Sequence, residues 1–163
     1  MHTLGGLIQS NFRVPSCDYD MLLRVARGLT RDHRVVVEGV RRMVFNVVAH
    51  NRDDHVKNFA FLMDMRGEWT MSPAYDLAYA PGPGGEHTMT IDGEGREPTL
   101  ARVIDLATRH GLKRSETLEI VDRVDEAVAT WPEIARDCGC PRGQVSEVAQ
   151  AHRFLGSRAQ NRN

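Results

Sequence analysis

Asn51-Arg52-Asp53-Asp54-His55-Val56-Lys57-Asn58 runs without a break into Phe59-Ala60-Phe61-Leu62-Met63. A polar octet carrying two acids, two bases and a histidine therefore meets a wholly apolar block. Charges set against a core element are costly, and loops that carry them are where binding and catalysis concentrate. The apolar block reads as a strand, Phe59–Met63. Gly67 marks a turn, and Glu68-Trp69-Thr70-Met71 reads as the returning strand of a hairpin. Ser72-Pro73-Ala74-Tyr75-Asp76-Leu77 closes the unit, with Pro73 stopping the strand and forcing an extended or turned backbone ahead of Asp76.

On the N-terminal side of the octet the periodicity is helical. Val36, Val40, Met43, Val44, Val47 and Val48 recur at helical spacing, with Phe45 beside them, so residues 32–49 are expected to form a central core helix. Before it, Asp18 is an N-cap for a helix reaching Thr30, with Met21, Leu22, Val25, Ala26 and Leu29 on one face. The first fifteen residues, dotted with glycine, read as a loop or weak extended segment. On the C-terminal side, residues 81–95 are a long Gly, Pro and Asp-rich loop in which Thr88–Ile91 makes a brief strand. Three helices are expected beyond it: Thr99–His110 stopped by Gly111, one capped by Ser115 and ended by Pro132, and Gln144–Phe154. The fold class is mostly α with a small central β-hairpin (α+β), in the order helical lobe, hairpin, helical lobe.

Composition bounds what this fold does. With 163 residues, 41% hydrophobic and 26% charged, the chain has the balance of one ordinary soluble domain. Its 21 basic and 22 acidic residues cancel to −1, so direct nucleic-acid binding through bulk positive charge is not expected. Aromatics at 6% argue against a base-stacking surface. No run of about 18 apolar residues is present to span a membrane, and Met1–Leu7 lacks the basic and apolar regions of a signal peptide. Cys17, Cys138 and Cys140 form no disulfide framework, which fits a reducing cytoplasm.

The octet and the hairpin exit together carry a chemical pattern. Phosphoryl transfer needs a carboxylate to orient and deprotonate the attacking hydroxyl, oxygen ligands for Mg²⁺, and cations to offset phosphate charge. Protein kinases place the base and an Asn ligand as D-x-x-x-x-N on one loop, followed by a hairpin whose far end offers a second metal Asp. Here Asp53 and Asn58 have that spacing, Arg52 precedes Asp53, Lys57 lies on the same loop, and Asp76 stands at the hairpin exit. The spacing equally fits a polar loop in which Asp53 or Asp54 caps one turn and Asp76 the next.

The wording of the motifs goes further. Asp53-Asp54-His55-Val56-Lys57-Asn58-Phe59 followed by Ser72-Pro73-Ala74-Tyr75-Asp76-Leu77 closely resembles the C-terminal domain of the HipA family of toxin kinases. Thr3-Leu4-Gly5-Gly6-Leu7, Arg42-Met43-Val44-Phe45-Asn46 and Gly82-Pro83-Gly84-Gly85-Glu86-His87 are similar to family segments as well, and the resemblance spans residues 3–131. It implies a serine/threonine protein kinase of a type II toxin–antitoxin module, with a kinase-like C-lobe fold, ATP and Mg²⁺ as cofactors, and a HipB-like DNA-binding antitoxin as partner. It implies Asp53 as catalytic base, His55 and Lys57 beside it, Asn58 and Asp76 as metal ligands, and Tyr75 with Lys57 at the nucleotide. Asp54 departs mildly, some members having Gly there. Its charge is expected either to raise the pKa of Asp53 or to point to solvent.

Family members are more than twice as long, and their N-lobe carries the phosphate loop, the ATP-positioning Lys and the adenine hinge. Here no lysine precedes Lys57. The expectation is a C-terminal kinase domain over residues 1–155, cut off on its N-terminal side, with a flexible tail at 156–163. The isolated chain is then inactive without an N-lobe from a separate chain, and Leu4, Leu7, Phe12 and Tyr75 form an exposed apolar patch awaiting it. The alternative is a catalytically silent module that binds an antitoxin or other protein. A metallohydrolase cluster of His50, Asp53, Asp54 and His55 matches no zincin spacing. Gly82-Pro83-Gly84-Gly85 opens no helix and reads as a flexible activation-like loop rather than a phosphate cradle.

Overall fold

The structure is a computed structural model that describes residues 1–9 and 17–156. The chain begins with β1 (His2–Thr3) and α1 (Leu4–Leu7), resumes with β2 (Cys17–Asp18), and enters two packed helices, α2 (Tyr19–Thr30) and α3 (His33–Val48). The hairpin β3 (Ala60–Met63) and β4 (Trp69–Met71) follows, then β5 (Met89–Thr90) and four helices: α4 (Leu100–Arg109), α5 (Arg114–Ala129), α6 (Trp131–Asp137) and α7 (Arg142–Ala151). The architecture is mostly α with a small sheet, as the sequence pattern leads one to expect.

Local chemistry starts the helices where the sequence marks them. Asp18 accepts from the Asp20 amide and Asp32 from the Arg34 amide, each at 2.9 Å, satisfying N–H groups that no helical carbonyl reaches. Thr99 caps α4 in the same way through the Arg102 amide. The α3 stripe is buried throughout, from Val36 to Val48, and packs on α2 and α5. On α2 the buried face is Tyr19, Leu22, Leu23 and Ala26, while Met21, expected on that face, is exposed.

The hairpin pairs Phe61 with Met71 and Met63 with Trp69. The Asp64 carboxylate shapes its turn by accepting from the Arg66 and Glu68 amides at 2.8 and 2.9 Å. A third strand joins it: β1 pairs antiparallel with β3, His2 opposite Phe61. The opening residues are thus a strand and a short helix rather than a loop. The Leu4 amide donates to the Phe59 carbonyl at 2.7 Å and the Gly5 amide to the Val56 carbonyl at 3.0 Å. Leu4 is fully buried, so it is no part of an exposed patch; Leu7 is half-buried, Tyr75 is exposed, and Phe12 lies outside the described residues.

The C-terminal third departs most from the pattern. α5 begins at Arg114, so Ser115 is inside the helix rather than its cap. Pro132 opens α6 instead of ending α5, because a proline in the first turn gives up an N–H that would be unpaired there anyway. α7 stops at Ala151. The chain then runs extended, because other groups take its amides: the Val48 carbonyl accepts from Arg153 at 2.9 Å, and the buried Asp125 carboxylate from Leu155 and Gly156 at 3.4 and 2.8 Å. Beyond Gly156, the expected tail lies outside the described residues.

Candidate active site

The octet leaves α3 through a tight reversal. His50 takes a left-handed conformation at φ +57, and the Asn51 amide returns to the Asn46 carbonyl at 2.9 Å. A chain of buried polar side chains then sets the loop in place. Asn51 Nδ2 donates to Asn46 Oδ1 at 3.0 Å, Asn46 Nδ2 to the Tyr19 hydroxyl at 2.9 Å, and that hydroxyl to Asp54 Oδ2 at 2.7 Å. His87 Nδ1 lies 3.0 Å from the same Asp54 oxygen, and the Thr88 and Met89 amides donate to the other at 2.9 and 3.2 Å. Burial, and then the Asp54 charge, push the Tyr19 phenol well above its ordinary pKa, which keeps it a donor.

Asp54 is therefore fully buried. It neither points to solvent nor stands as a bare charge beside Asp53; four donors hold it. A polar residue within the apolar stripe of α3, Asn46, was the sequence signal for this network.

With Asp54 turned inward, its neighbour Asp53 is exposed. The D-x-x-x-x-N spacing is closed by a bond: Asn58 Nδ2 donates to the Asp53 carbonyl at 2.9 Å, and the Asn58 amide to the His55 carbonyl at 2.8 Å. The amide nitrogen being used, the Asn58 oxygen is the atom left for a cation. Lys57 is exposed and His55 half-buried.

Asp76 reaches this loop from the hairpin exit. The Tyr75 hydroxyl donates to the Lys57 carbonyl, which ties the segment after β4 to the octet. Burial and the Asp76 charge raise the Tyr75 pKa, against an opposing effect of Arg42. Asp76 is exposed and holds φ +55, a left-handed conformation that Asp tolerates better than most residues. Asn58 and Asp76 line one narrow slot of about 10 Å³, together with Arg42, Asn46, Asn51 and Tyr75. Asp53, His55 and Lys57 are not in its wall. A roomier groove, of about 1080 Å³, lies at the other end of the hairpin, around Arg31, Val35, Met63 and Trp69, and contains none of these residues.

Among the described residues no three His, Cys, Asp or Glu side chains cluster to hold a metal. The oxygen donors that share the slot are instead one carboxylate, Asp76, and one amide, Asn58. An all-oxygen set with few protein ligands fits Mg²⁺, which keeps several waters, better than zinc.

The segment after Asp76 is strapped to the octet. The Arg52 amide donates to the Ala80 carbonyl and the Ala80 amide to the His50 carbonyl, each at 3.1 Å, the Thr88 amide donates to the Arg52 carbonyl at 3.1 Å, and the Arg52 guanidinium binds the Gly85 and Arg96 carbonyls. Gly82 sits at φ +72 where an added Cβ would lie 2.6 Å from Arg52 Cβ, so only glycine fits this approach. β5 continues the strap by pairing parallel with β2. The 81–95 loop, expected to be flexible, is thus held by hydrogen bonds against the octet.

The family model of the HipA-like C-terminal domain matches residues 1–131. None of the curated proteins matches the chain. Among solved structures, the chain is similar to one from the complex of the Shewanella oneidensis MR-1 toxin–antitoxin proteins HipA and HipB with operator DNA. That likeness has a TM-score of 0.60 at 20% identity, covering 90% of this chain and 32% of that one. The fold is α+β and resembles part of HipA, and the chain belongs to the HipA-like C-terminal domain family.

Proposed function

We propose that this chain is the catalytic C-lobe of a HipA-type serine/threonine protein kinase, acting in the cytoplasm within a toxin–antitoxin module. Asp53 accepts the proton of a protein hydroxyl as its oxygen forms a bond to the γ-phosphorus of ATP and the bond to the β-phosphate oxygen breaks, releasing ADP. Asn58 and Asp76 would hold Mg²⁺, whose charge offsets that of the phosphates when it is bound. Lys57 and Tyr75 flank the nucleotide, and His55 stands beside the base. The observation that carries the reading is the Asn58–Asp53 bond together with the slot that Asn58 shares with Asp76.

Positioning and charge neutralisation supply nearly all catalysis in phosphoryl transfer. No lysine precedes Lys57 in the 163 residues, so the ATP-positioning cation of such kinases has to come from an N-lobe outside them. The HipB-like antitoxin is the natural partner by family.

A direct test is Mn²⁺ binding followed by electron paramagnetic resonance, with Mg²⁺ as competitor. One site is expected, weakened at least about tenfold in Asp76→Asn, the scale of losing one ligand charge. Unchanged binding in that variant would sink the metal assignment. With ATP and Mg²⁺ the chain alone is expected to phosphorylate nothing. Phosphate transfer by the chain alone that Asp53→Asn abolishes would overturn the need for an N-lobe.

The complete burial of Leu4 favours a second reading, a self-sufficient module that binds an antitoxin or another protein without turnover. Its signature would be partner binding that survives both Asp53→Asn and Asp76→Asn.

A further inference from the structure

Arg42 is a cation within the buried face of α3. Its Nε pairs with Glu38 at 2.9 Å and its Nη2 donates to the Ser72 carbonyl at 2.7 Å. The residue is only 8% exposed, and its Nη1 is buried with no hydrogen-bond partner among the described residues. An N–H of a charged group in that position carries a desolvation cost, and native structures pair such groups as a rule.

The room available decides what serves it. Arg42 lines the same slot as Asn58 and Asp76. At about 10 Å³ the slot has space for one water, not for a phosphate group. An acid already on the wall needs no such space; it has only to change rotamer. Asp76 is that acid: exposed, at the left-handed turn, four residues beyond the Ser72 carbonyl that Arg42 already grips.

We propose that Arg42 is the positioning residue for Asp76. The Asp76 carboxylate turns into the slot and accepts from Arg42 Nη1 through one oxygen. Its other oxygen is then presented to the cation beside Asn58. The second half of this rests on the metal reading above; the first half does not. The arrangement parallels the outer partners that orient metal-binding side chains in other sites, whose loss weakens metal affinity about 10–100-fold. Arg42 also fixes the Ser72 carbonyl, so one guanidinium holds both the base of the segment and the carboxylate it delivers.

The test uses ¹⁵N-resolved NMR of the Arg42 guanidinium in the full chain, without metal. In the wild type the Nη1 protons should be distinct and slow to exchange. Asp76→Ala, a change at an exposed residue, should collapse that signature, and Asp53→Ala should leave it intact. An unchanged Arg42 spectrum in Asp76→Ala would mean that a water fills the slot, and would overturn the proposal. Mn²⁺ affinity reads the second half: about 10–100-fold weaker in Arg42→Met, with partial rescue by Arg42→Lys. A spectrum that responds to Asp76→Ala in a chain that binds no Mn²⁺ would uphold the Arg42–Asp76 contact while ending the metal reading. Mn²⁺ binding that depends on Asp76 but not on Arg42 would do the reverse.

Discussion

The octet and the segment after β4 meet at one slot, through Asn58 from the first and Asp76 from the second, and they are held in opposite ways. Within residues 51–58, Asn51, Asp54 and Val56 are buried, and Asp54 alone takes up four donors from α2 and from the 80–96 strap. Residues 73–78 are exposed throughout. They are anchored by Arg42 at the Ser72 carbonyl, by the Tyr75 hydroxyl on Lys57, and by Ala80 beyond. A fully satisfied buried network specifies one geometry, whereas an exposed turn moves among rotamers. The region bearing Asp53 and Asn58 is therefore built without any ligand, while Asp76 sits on an exposed segment held by few contacts.

The contrast breaks most sharply at adjacent acids. Asp54→Ala strands the Tyr19 hydroxyl proton, His87 and the Met89 amide in the interior, which should cost on the order of 3–5 kcal/mol, the scale for removing one partner of a buried pair. Asp53→Ala, at an exposed position, should stay within about 0.5 kcal/mol of the parent. Urea unfolding of both variants measures the difference, and similar losses would refute the assignment of Asp54 as the anchor.

The strap gives the next largest effect. Gly82→Ala forces a side chain into φ +72 with its Cβ 2.2 Å from the Glu86 carbonyl oxygen. The expected loss is about 1–3 kcal/mol, with faster hydrogen exchange at Thr88 and Met89, whose amides bind Asp54. Exchange unchanged there would show that the strap does not depend on this turn.

The reversal at His50 makes the octet sensitive to acid. Burial, and then the nearby Arg52 cation, depress its pKa from 6.5 to about 4. Between those values the unfolded chain binds a proton that the folded chain refuses. The stability this residue contributes is thus complete above pH 6.5 and lost as pH falls toward 4. His50→Asn, which suits φ +57, should flatten the stability profile across that window. A variant that loses stability over it as steeply as the parent would assign the acid sensitivity elsewhere.

The smallest effect belongs to the exposed segment. Tyr75→Phe removes one partly exposed hydrogen bond and should cost about 0.5–1.5 kcal/mol at most, with limited proteolysis at residues 73–78 rising well before global unfolding changes. A larger stability loss would mean that this segment is as firmly built as the octet.

How much of this was legible depended on range. Caps and stripes are local, so α2, α3, α4 and the hairpin could be read from Asp18, Asp32, Thr99 and the valines of residues 36–48, because each pattern is satisfied within a few residues of itself. The D-x-x-x-x-N spacing was equally legible, and the bond from Asn58 to the Asp53 carbonyl gives it physical form. Two-residue strands such as β1 and β2 have no periodicity to read, whereas β5 falls inside the brief strand expected at Thr88–Ile91. Ser115 and Pro132 were misjudged because each suits more than one place at a helix end.

By itself, then, the amino-acid order determined α2, α3, α4, the hairpin and the motif that marks the family, since those depend on neighbours three to five residues apart. Only the tertiary structure decided which of two adjacent acids is buried. Asp53 and Asp54 are chemically the same, and what separates them is Tyr19, 35 residues away, and His87, 33 residues away. The complete burial of Leu4 and the sharing of one slot by Arg42 and Asp76 were settled likewise. Such outcomes turn on which donors and acceptors the fold brings together, and a buried polar group takes its role from those partners rather than from its place in the chain.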